Sequence, residues 1–251
     1  MINLSSKSVL ITGGSRGIGA ACVKLFAEAG ATVHFTYKSN VDAASKLALQ
    51  FGKKKKVFFY KLDFSNEANL ELRIIELVSK IKKIDVLINN AGIWEYGEAD
   101  KMSLREWNRT MQANLTSMFL MTKTIIPLMK KNKFGRIINI SSTAGQRGEP
   151  FHSHYAASKG AMISYTKSLA AELGKYNITV NSIAPGWVDT EMCKGVFSNK
   201  KYKEKVRLEI PVQRIASAED IAGPVLFLAS DLARHINGEI LNVNGGSVLC
   251  G

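Results

Sequence analysis

Apolar positions along this chain follow two periods that alternate. Ser8-Val9-Leu10-Ile11-Thr12 is a short, partly β-branched run that ends in glycines, the pattern of a buried parallel strand. A helical pattern over 18–29 follows and stops at Gly30. The exchange then repeats. Strands are predicted at 32–37, 57–62, 86–89, 136–140, 178–184 and 239–243. Helices are predicted at 42–51, 66–80, 154–173 and 218–229, with a long helical region from Leu104 to about Lys131 bent near Pro127. In the third helix Leu70, Ile74, Leu77, Val78 and Ile81 recur at helical spacing.

Strands separated by helices of about ten residues or more predict βαβ units and a parallel sheet. Right-handed crossovers make that sheet doubly wound, with helices on both faces and a crevice at the carboxyl ends of its strands. The expectation is a seven-stranded, single-domain Rossmann fold over 1–251, since no Pro/Gly/Ser-rich linker or repeat divides the chain. About thirty residues at 186–216 interrupt the alternation and carry few core signals; connections of that length are lids or flexible loops.

Three stretches carry candidate chemistry. The cluster Gly13, Gly14, Gly17 and Gly19 leaves a strand and opens a helix, where glycines let backbone approach a phosphate and the helix N-terminus offers unpaired N–H groups. A tight strand–helix turn without a ligand is the alternative. An NAD site places an acid at the end of the second strand. Here that end reads Tyr37-Lys38-Ser39-Asn40, with no carboxylate until Asp42, and Arg16 and Lys38 are placed to clamp a 2′-phosphate, which favours NADP(H). Tyr155 and Lys159 share one helical face at i and i+4. A phenol titrates near pH ~10, and a cation beside it favours the phenolate. Ser142 on a neighbouring strand end would hold a substrate oxygen against the same phenol. Ser141 competes for that role, but neighbours on a strand point to opposite faces.

The order and spacing of Thr12-Gly13-xxx-Gly17-Ile18-Gly19, Asn89-Asn90-Ala91-Gly92, Ser142, Tyr155-xxx-Lys159 and Pro185-Gly186 resemble the short-chain dehydrogenases/reductases over essentially the whole chain. GRIINISS, HYAASKGAMISYTKSLAAELGKYNITVNSIAPG and GEILNVNGG look most like the 3-oxoacyl-[acyl-carrier-protein] reductases among them. The resemblance implies a catalytic set of Asn114, Ser142, Tyr155 and Lys159. Tyr155 would protonate the forming alkoxide, Ser142 position it, and Lys159 lower the phenol's pKa and hold the nicotinamide ribose. Asn114 would hold a water in the proton relay. It further implies cofactor contacts from Gly13, Ser15, Arg16, Gly17, Ile18 and Gly19 at the glycine turn, and from Tyr37, Lys38 and Ser39 after it. Asp63 would touch the adenine amino group with Phe64 following, and Asn90, Ala91 and Gly92 would line the adenosine half. Pro185, Gly186, Val188 and Thr190 would close on the nicotinamide and phosphates. Enoyl reductases of the superfamily separate Tyr and Lys more widely than here. A sugar, steroid or small secondary alcohol remains an alternative substrate, and Trp94, Phe151 and His152 are candidate pocket walls. A non-catalytic dinucleotide-binding regulator is a reading of another class.

Composition adds one outlier, a formal net charge of +13. A basic balance suits nucleic acid, an anionic membrane or an acidic protein. The densest run, Lys53-Lys54-Lys55-Lys56, has no interleaved aromatics and reads as solvated surface, so no nucleic acid is expected. Lys130, Lys131 and Lys133 resemble the patch that docks an acidic acyl-carrier protein, although helix-end lysines also suit the helix dipole. The family implies a homotetramer across helices 104–131 and 154–173 and across the last helix and strand, and the apolar tail from Ser247 suits an interface. Cys22, Cys193 and Cys250 are scattered and odd in number, and the four His make a poor zinc set, so no metal is expected. No apolar run nears the roughly 20 residues of a membrane span, and the N-terminus lacks a signal layout, so a cytoplasmic protein is expected.

Overall fold

The computed structural model describes residues 2–52, 56–65 and 69–249. Seven strands form one parallel sheet: β1 (Ser8–Ile11), β2 (Thr32–Tyr37), β3 (Val57–Lys61), β4 (Val86–Asn89), β5 (Gly135–Ile140), β6 (Ile178–Pro185) and β7 (Ile240–Val243). Their order is β3-β2-β1-β4-β5-β6-β7. β1 therefore pairs with β2 on one side, Val9 opposite Val33, and with β4 on the other, Val9 opposite Val86. Connections from β1 and β4 lead away in opposite directions, and a crevice opens between their carboxyl ends.

The alternation of side chains along each strand explains why both faces need helices. Val9, Ile11, Val86 and Ile88 pack on one side with Phe26 of α1 (Gly17–Glu28), Leu47 of α2 (Val41–Leu49) and Val225 of α10 (Ala218–Ala229). Leu10, Leu87 and Ile137 pack on the other with Ile74 of α3 (Leu70–Ile81), Ile125 of α5 (Ser117–Asn132) and Leu169 of α7 (Ser153–Leu173). All five apolar positions read in the third helix are buried.

The structure corrects several expectations. The long helical region is not broken at Pro127, which sits inside α5 on its exposed face, where the missing N–H costs a bond facing solvent. The interruption is a π-helical turn, Gln112–Thr116, between α4 (Leu104–Met111) and α5. A short helix, α6 (Ala144–Arg147), stands between β5 and α7. The segment 186–216 is no bare loop. It forms α8 (Lys194–Phe197) and α9 (Lys200–Glu209), whose Phe197, Val206 and Ile210 bury a small core against Trp187 and Ile215. A bridge between Val188 and Ala216 closes its base. In the tail, Val248 is buried while Leu249 is 90% exposed. Lys53 to Lys55, the predicted helix start at Asn66, and Cys250 lie outside the described residues. Among the described residues no helix is long and apolar enough to cross a membrane.

Phe26 is fully buried where α1 meets the sheet. Phe26→Ala is expected to cost about 3–5 kcal/mol, measured as a shift in the urea unfolding midpoint.

Candidate active site

The crevice between β1 and β4 is a cleft of about 280 Å³. Its floor is the glycine turn. The N–H groups of Gly13 and Gly14 donate to Thr36 Oγ1 and O at 3.0 and 2.8 Å, which draws the turn against β2. Gly13 and Gly17 have φ of +67° and +53°, a conformation that disfavours a side chain. A Cβ on Gly19 would stand 2.2 Å from the Gly13 carbonyl, so this glycine is what lets α1 begin directly under the turn. Arg16 is the N-cap and makes no side-chain cap bond. The first N–H groups of α1 are therefore left without a side-chain acceptor, the arrangement that takes a phosphate. From β4, Asn90 Nδ2 donates to the carbonyls of Thr12 and Gly13 at 2.9 and 3.1 Å, and Thr12 Oγ1 accepts from the N–H groups of Asn90 and Ala91.

At the end of β2, Lys38 donates to Ser65 Oγ at 2.7 Å and lies 3.4 Å from Asp63 Oδ1. Asp63 also accepts from the backbone and hydroxyl of Ser65 at 2.9 and 2.7 Å. Burial tends to raise the Asp63 carboxyl, but Ser65 and Lys38 outweigh it and hold the group below its ordinary value. The network fixes a half-free ammonium beside Tyr37 and Phe64, with Arg16 on the facing wall, and no carboxylate comes from the strand end itself. That donor set fits a 2′-phosphate. Ser65 was not legible in the sequence; its only signal is its place two residues after an Asp, where an Asx turn forms.

The residues expected to transfer a proton line the same cleft. Ser141 and Ser142 both line the cleft, but the Ser141 hydroxyl is committed to the Ile183 carbonyl at 2.8 Å. Tyr155 and Lys159 line the same wall, with Lys159 Nζ 5.7 Å from the tyrosine ring centre. The expectation that the lysine lowers the phenol is not what the geometry gives. Lys159 donates to the Ile140 carbonyl at 2.7 Å, and burial brings its own pKa down to about 8. Burial raises the Tyr155 phenol well above its ordinary range, and the interaction that opposes this is its hydrogen bond with Ser142.

Asn114 is fully buried in the π-helical turn. It accepts from the Ile93 N–H at 2.8 Å and donates to the Ile93 carbonyl and to Ser158 Oγ, both at 3.0 Å. Ser158 Oγ in turn donates to the Tyr155 carbonyl at 2.7 Å. A Cβ on Gly92 would stand 3.1 Å from Asn114 Oδ1 and 3.7 Å from Lys159 Nζ, which places both on the side to which that Cβ would point.

The lid base completes the wall. Pro185 accepts from the Thr143 N–H at 3.0 Å, and a Cβ on Gly17 would stand 3.4 Å from Thr190, so the lid touches the glycine turn. Of the cofactor residues expected from the sequence, Gly13, Ser15, Gly17, Ile18, Ala91, Gly186 and Val188 line the cleft with those above. Gly19 lies beneath it, Ser39 points to solvent outside it, and Asn114 sits behind Ile93. Trp94 lines the substrate end, stacked on His152 with ring centres 4.4 Å apart, while Phe151 is 57% exposed and stacks on Tyr96 instead. Thr36 on β2, Arg147 at the end of α6, and Glu149 and Trp187 in loops also line the cleft and were missed, because none carries a signal of its own in the sequence.

Fold and site define a dinucleotide-dependent oxidoreductase of the CH–OH/C=O class. The family model described as "Enoyl-(Acyl carrier protein) reductase" matches residues 13–247, and the chain belongs to the short-chain dehydrogenase/reductase family. It is 38% identical over 248 residues to a 3-oxoacyl-[acyl-carrier-protein] reductase of Aquifex aeolicus, covering 98% of each chain. An acetoacetyl-CoA reductase of Shinella zoogloeoides is 39% identical, covering 96% of this chain and 98% of that one. A crystal structure described as an NAD(P)-dependent gluconate 5-dehydrogenase from Beutenbergia cavernae, with bound NADP, is 30% identical with a TM-score of 0.92, covering 98% of each.

Two outcomes are expected. Gly19→Ala should weaken NADPH binding by at least about tenfold, since the added methyl forces α1 from the turn it must touch; fluorescence titration reads this. Lys159 titrates near 8 when folded and near 10.5 unfolded, so the unfolded state holds the extra proton between those values and the ammonium costs stability below pH 8. Lys159→Met should therefore be more stable than the native protein below pH 8, with the advantage shrinking as pH rises through 8 to 10.5, measured as paired denaturation midpoints.

Proposed function

We propose that this protein is an NADPH-dependent reductase of 3-oxoacyl thioesters, the acyl chain presented on an acidic carrier protein. The observation that carries the chemistry is the convergence of Ser142, Tyr155 and Lys159 on the cleft whose other end is the glycine turn. The substrate class is supported by relatives named for 3-oxoacyl-carrier and acetoacetyl-CoA reduction that match almost end to end.

NADPH, when bound, supplies the hydride. The chain's own residues do the rest. Ser142 donates to the ketone oxygen and aligns it with Tyr155, whose hydroxyl gives up its proton as negative charge grows on that oxygen. A phenol raised by burial keeps its proton until that moment, which suits a donor. Lys159, with a pKa near 8, carries its proton at neutral pH and holds the ribose while returning protons toward the tyrosine. Asn114 keeps the Ile93 backbone in place and helps order the relay water beside Gly92. The basic surface suits an acidic carrier by steering. Lys131 and Lys133 are exposed for that role, while Lys130 already lies 4.8 Å over the Tyr176 ring. A homotetramer across the α5 and α7 faces is part of the same proposal, supported by the exposed Phe119 and its edge contact with Tyr165.

A second reading, reduction of a sugar ketone, is favoured by the likeness to the gluconate 5-dehydrogenase structure. Following NADPH oxidation with acetoacetyl thioesters against a panel of ketoses separates the two. Turnover on the thioester is expected, and Tyr155→Phe should lower it by about two to four orders of magnitude while NADPH still binds. Turnover confined to ketoses would sink the thioester reading.

A further inference from the structure

We propose that the substrate end of the cleft is built around the half-buried carboxylate of Glu149, which accepts a hydrogen bond from a neutral substrate and turns carboxylate-bearing ketones away. The proposal rests on the ketone-reductase reading above and names the substrate class of that same site.

Glu149 lies in the loop between α6 and α7 and lines the cleft together with Tyr155. Its Oε2 accepts from the Trp94 indole N–H at 3.3 Å. The Trp94 ring lies flat on His152, 5° from parallel, and meets Trp187 edge-on at 5.9 Å. Burial raises the Glu149 carboxyl, and His152, the Trp94 hydrogen bond and Arg147 act against that rise. Oε1 is 3.9 Å from His152 Nδ1, too far for a hydrogen bond, and that nitrogen is already 3.0 Å from the Pro150 carbonyl. Among the described residues no second hydrogen-bond donor reaches the Glu149 carboxylate. A carboxylate with a side chain only 22% exposed, set against aromatic walls with one oxygen uncommitted, is costly to keep unless something arrives to donate to it.

The two cations at this end do not take that role. Lys159 is committed to Ile140, and Arg147 stands exposed at the rim, where its field is screened by solvent. The donor therefore comes with the substrate. A ketone that reaches Tyr155 with an amide N–H or hydroxyl on its adjoining arm satisfies Glu149. A ketone ending in a carboxylate brings a like charge into a walled site where repulsion is weakly screened.

The test uses purified enzyme, NADPH and two substrates with the same reacting carbonyl. One is the N-acetylcysteamine thioester of acetoacetate, neutral and bearing an amide N–H; the other is free acetoacetate. The native enzyme should favour the thioester. Glu149→Gln keeps the shape and an acceptor oxygen but not the charge. It should lower the thioester-to-acid ratio of kcat/KM by at least about tenfold, chiefly by gaining activity on the acid. Glu149→Ala should also raise KM for the thioester, and unchanged NADPH affinity shows that both variants keep the site. A ratio that stays within about twofold of native in the Gln variant overturns the proposal. If the native enzyme reduces neither acetoacetate compound, the thioester reading fails, and the same ratio is taken on fructose against 5-ketogluconate. A shift there sustains the role of Glu149, and no shift overturns it. Reduction of neither pair overturns both.

Discussion

Everything at this site depends on how the chain holds β1 and β4 together just where their connections part. The side chains of Thr12 and Asn90 do so with four hydrogen bonds across the switch point, two from Asn90 Nδ2 to the Thr12 and Gly13 carbonyls and two accepted by Thr12 Oγ1 from the Asn90 and Ala91 N–H groups. The clasp uses up the polar groups of the strand ends, so the crevice floor is left with the N–H groups of the glycine turn and the start of α1. Gly19 then has to be a glycine because the Gly13 carbonyl occupies the space of its side chain. The phosphate site is thus a by-product of closing the sheet at one point.

The proton-transfer end obeys a different constraint. Tyr155 and Lys159 are carried by one long helix, and burial pushes both toward their neutral forms, the phenol up and the amine down. Polar groups tie that helix to the sheet: Lys159 to Ile140, and Ser158 to Asn114 and so to Ile93. The π-helical turn belongs to the same arrangement. A regular helix through Asn114 would leave its amide competing with its own backbone; the widened turn lets the side chain bond to the backbone at Ile93 instead. The lid adds an aromatic wall, Trp187 packed on a small core of its own, and the loop between α6 and α7 adds an acidic one, Glu149 held by Trp94.

Much of this was legible along the chain. Strand and helix order, the parallel sheet, and the apolar stripe of α3 follow from periodicity, because burial against a sheet demands the same spacing wherever it occurs. The glycine turn was legible because only glycine tolerates both the positive φ at Gly13 and the close approach at Gly19. The choice of Ser142 over Ser141 came from the family spacing to the tyrosine, with strand alternation saying only that the two differ; both line the cleft, and the Ser141 hydroxyl is taken by Ile183.

What the linear pattern did not carry is every relation set by neighbours distant in sequence. The interruption was read at Pro127, since proline is a local signal, whereas it falls at the π-helical turn, where Asn114 bonds to the backbone of Ile93. The lid's helices were missed because their core is only three buried residues and needs Trp187 to complete it. The partner of Lys159, the Ser65 that steadies Lys38, and Glu149 beside Tyr155 depend on how loops return to the cleft. Sequence alone determined the fold and named the candidate reacting groups, because spacing and backbone freedom are local properties. Tertiary structure alone decided what surrounds those groups, because desolvation and charge act through space.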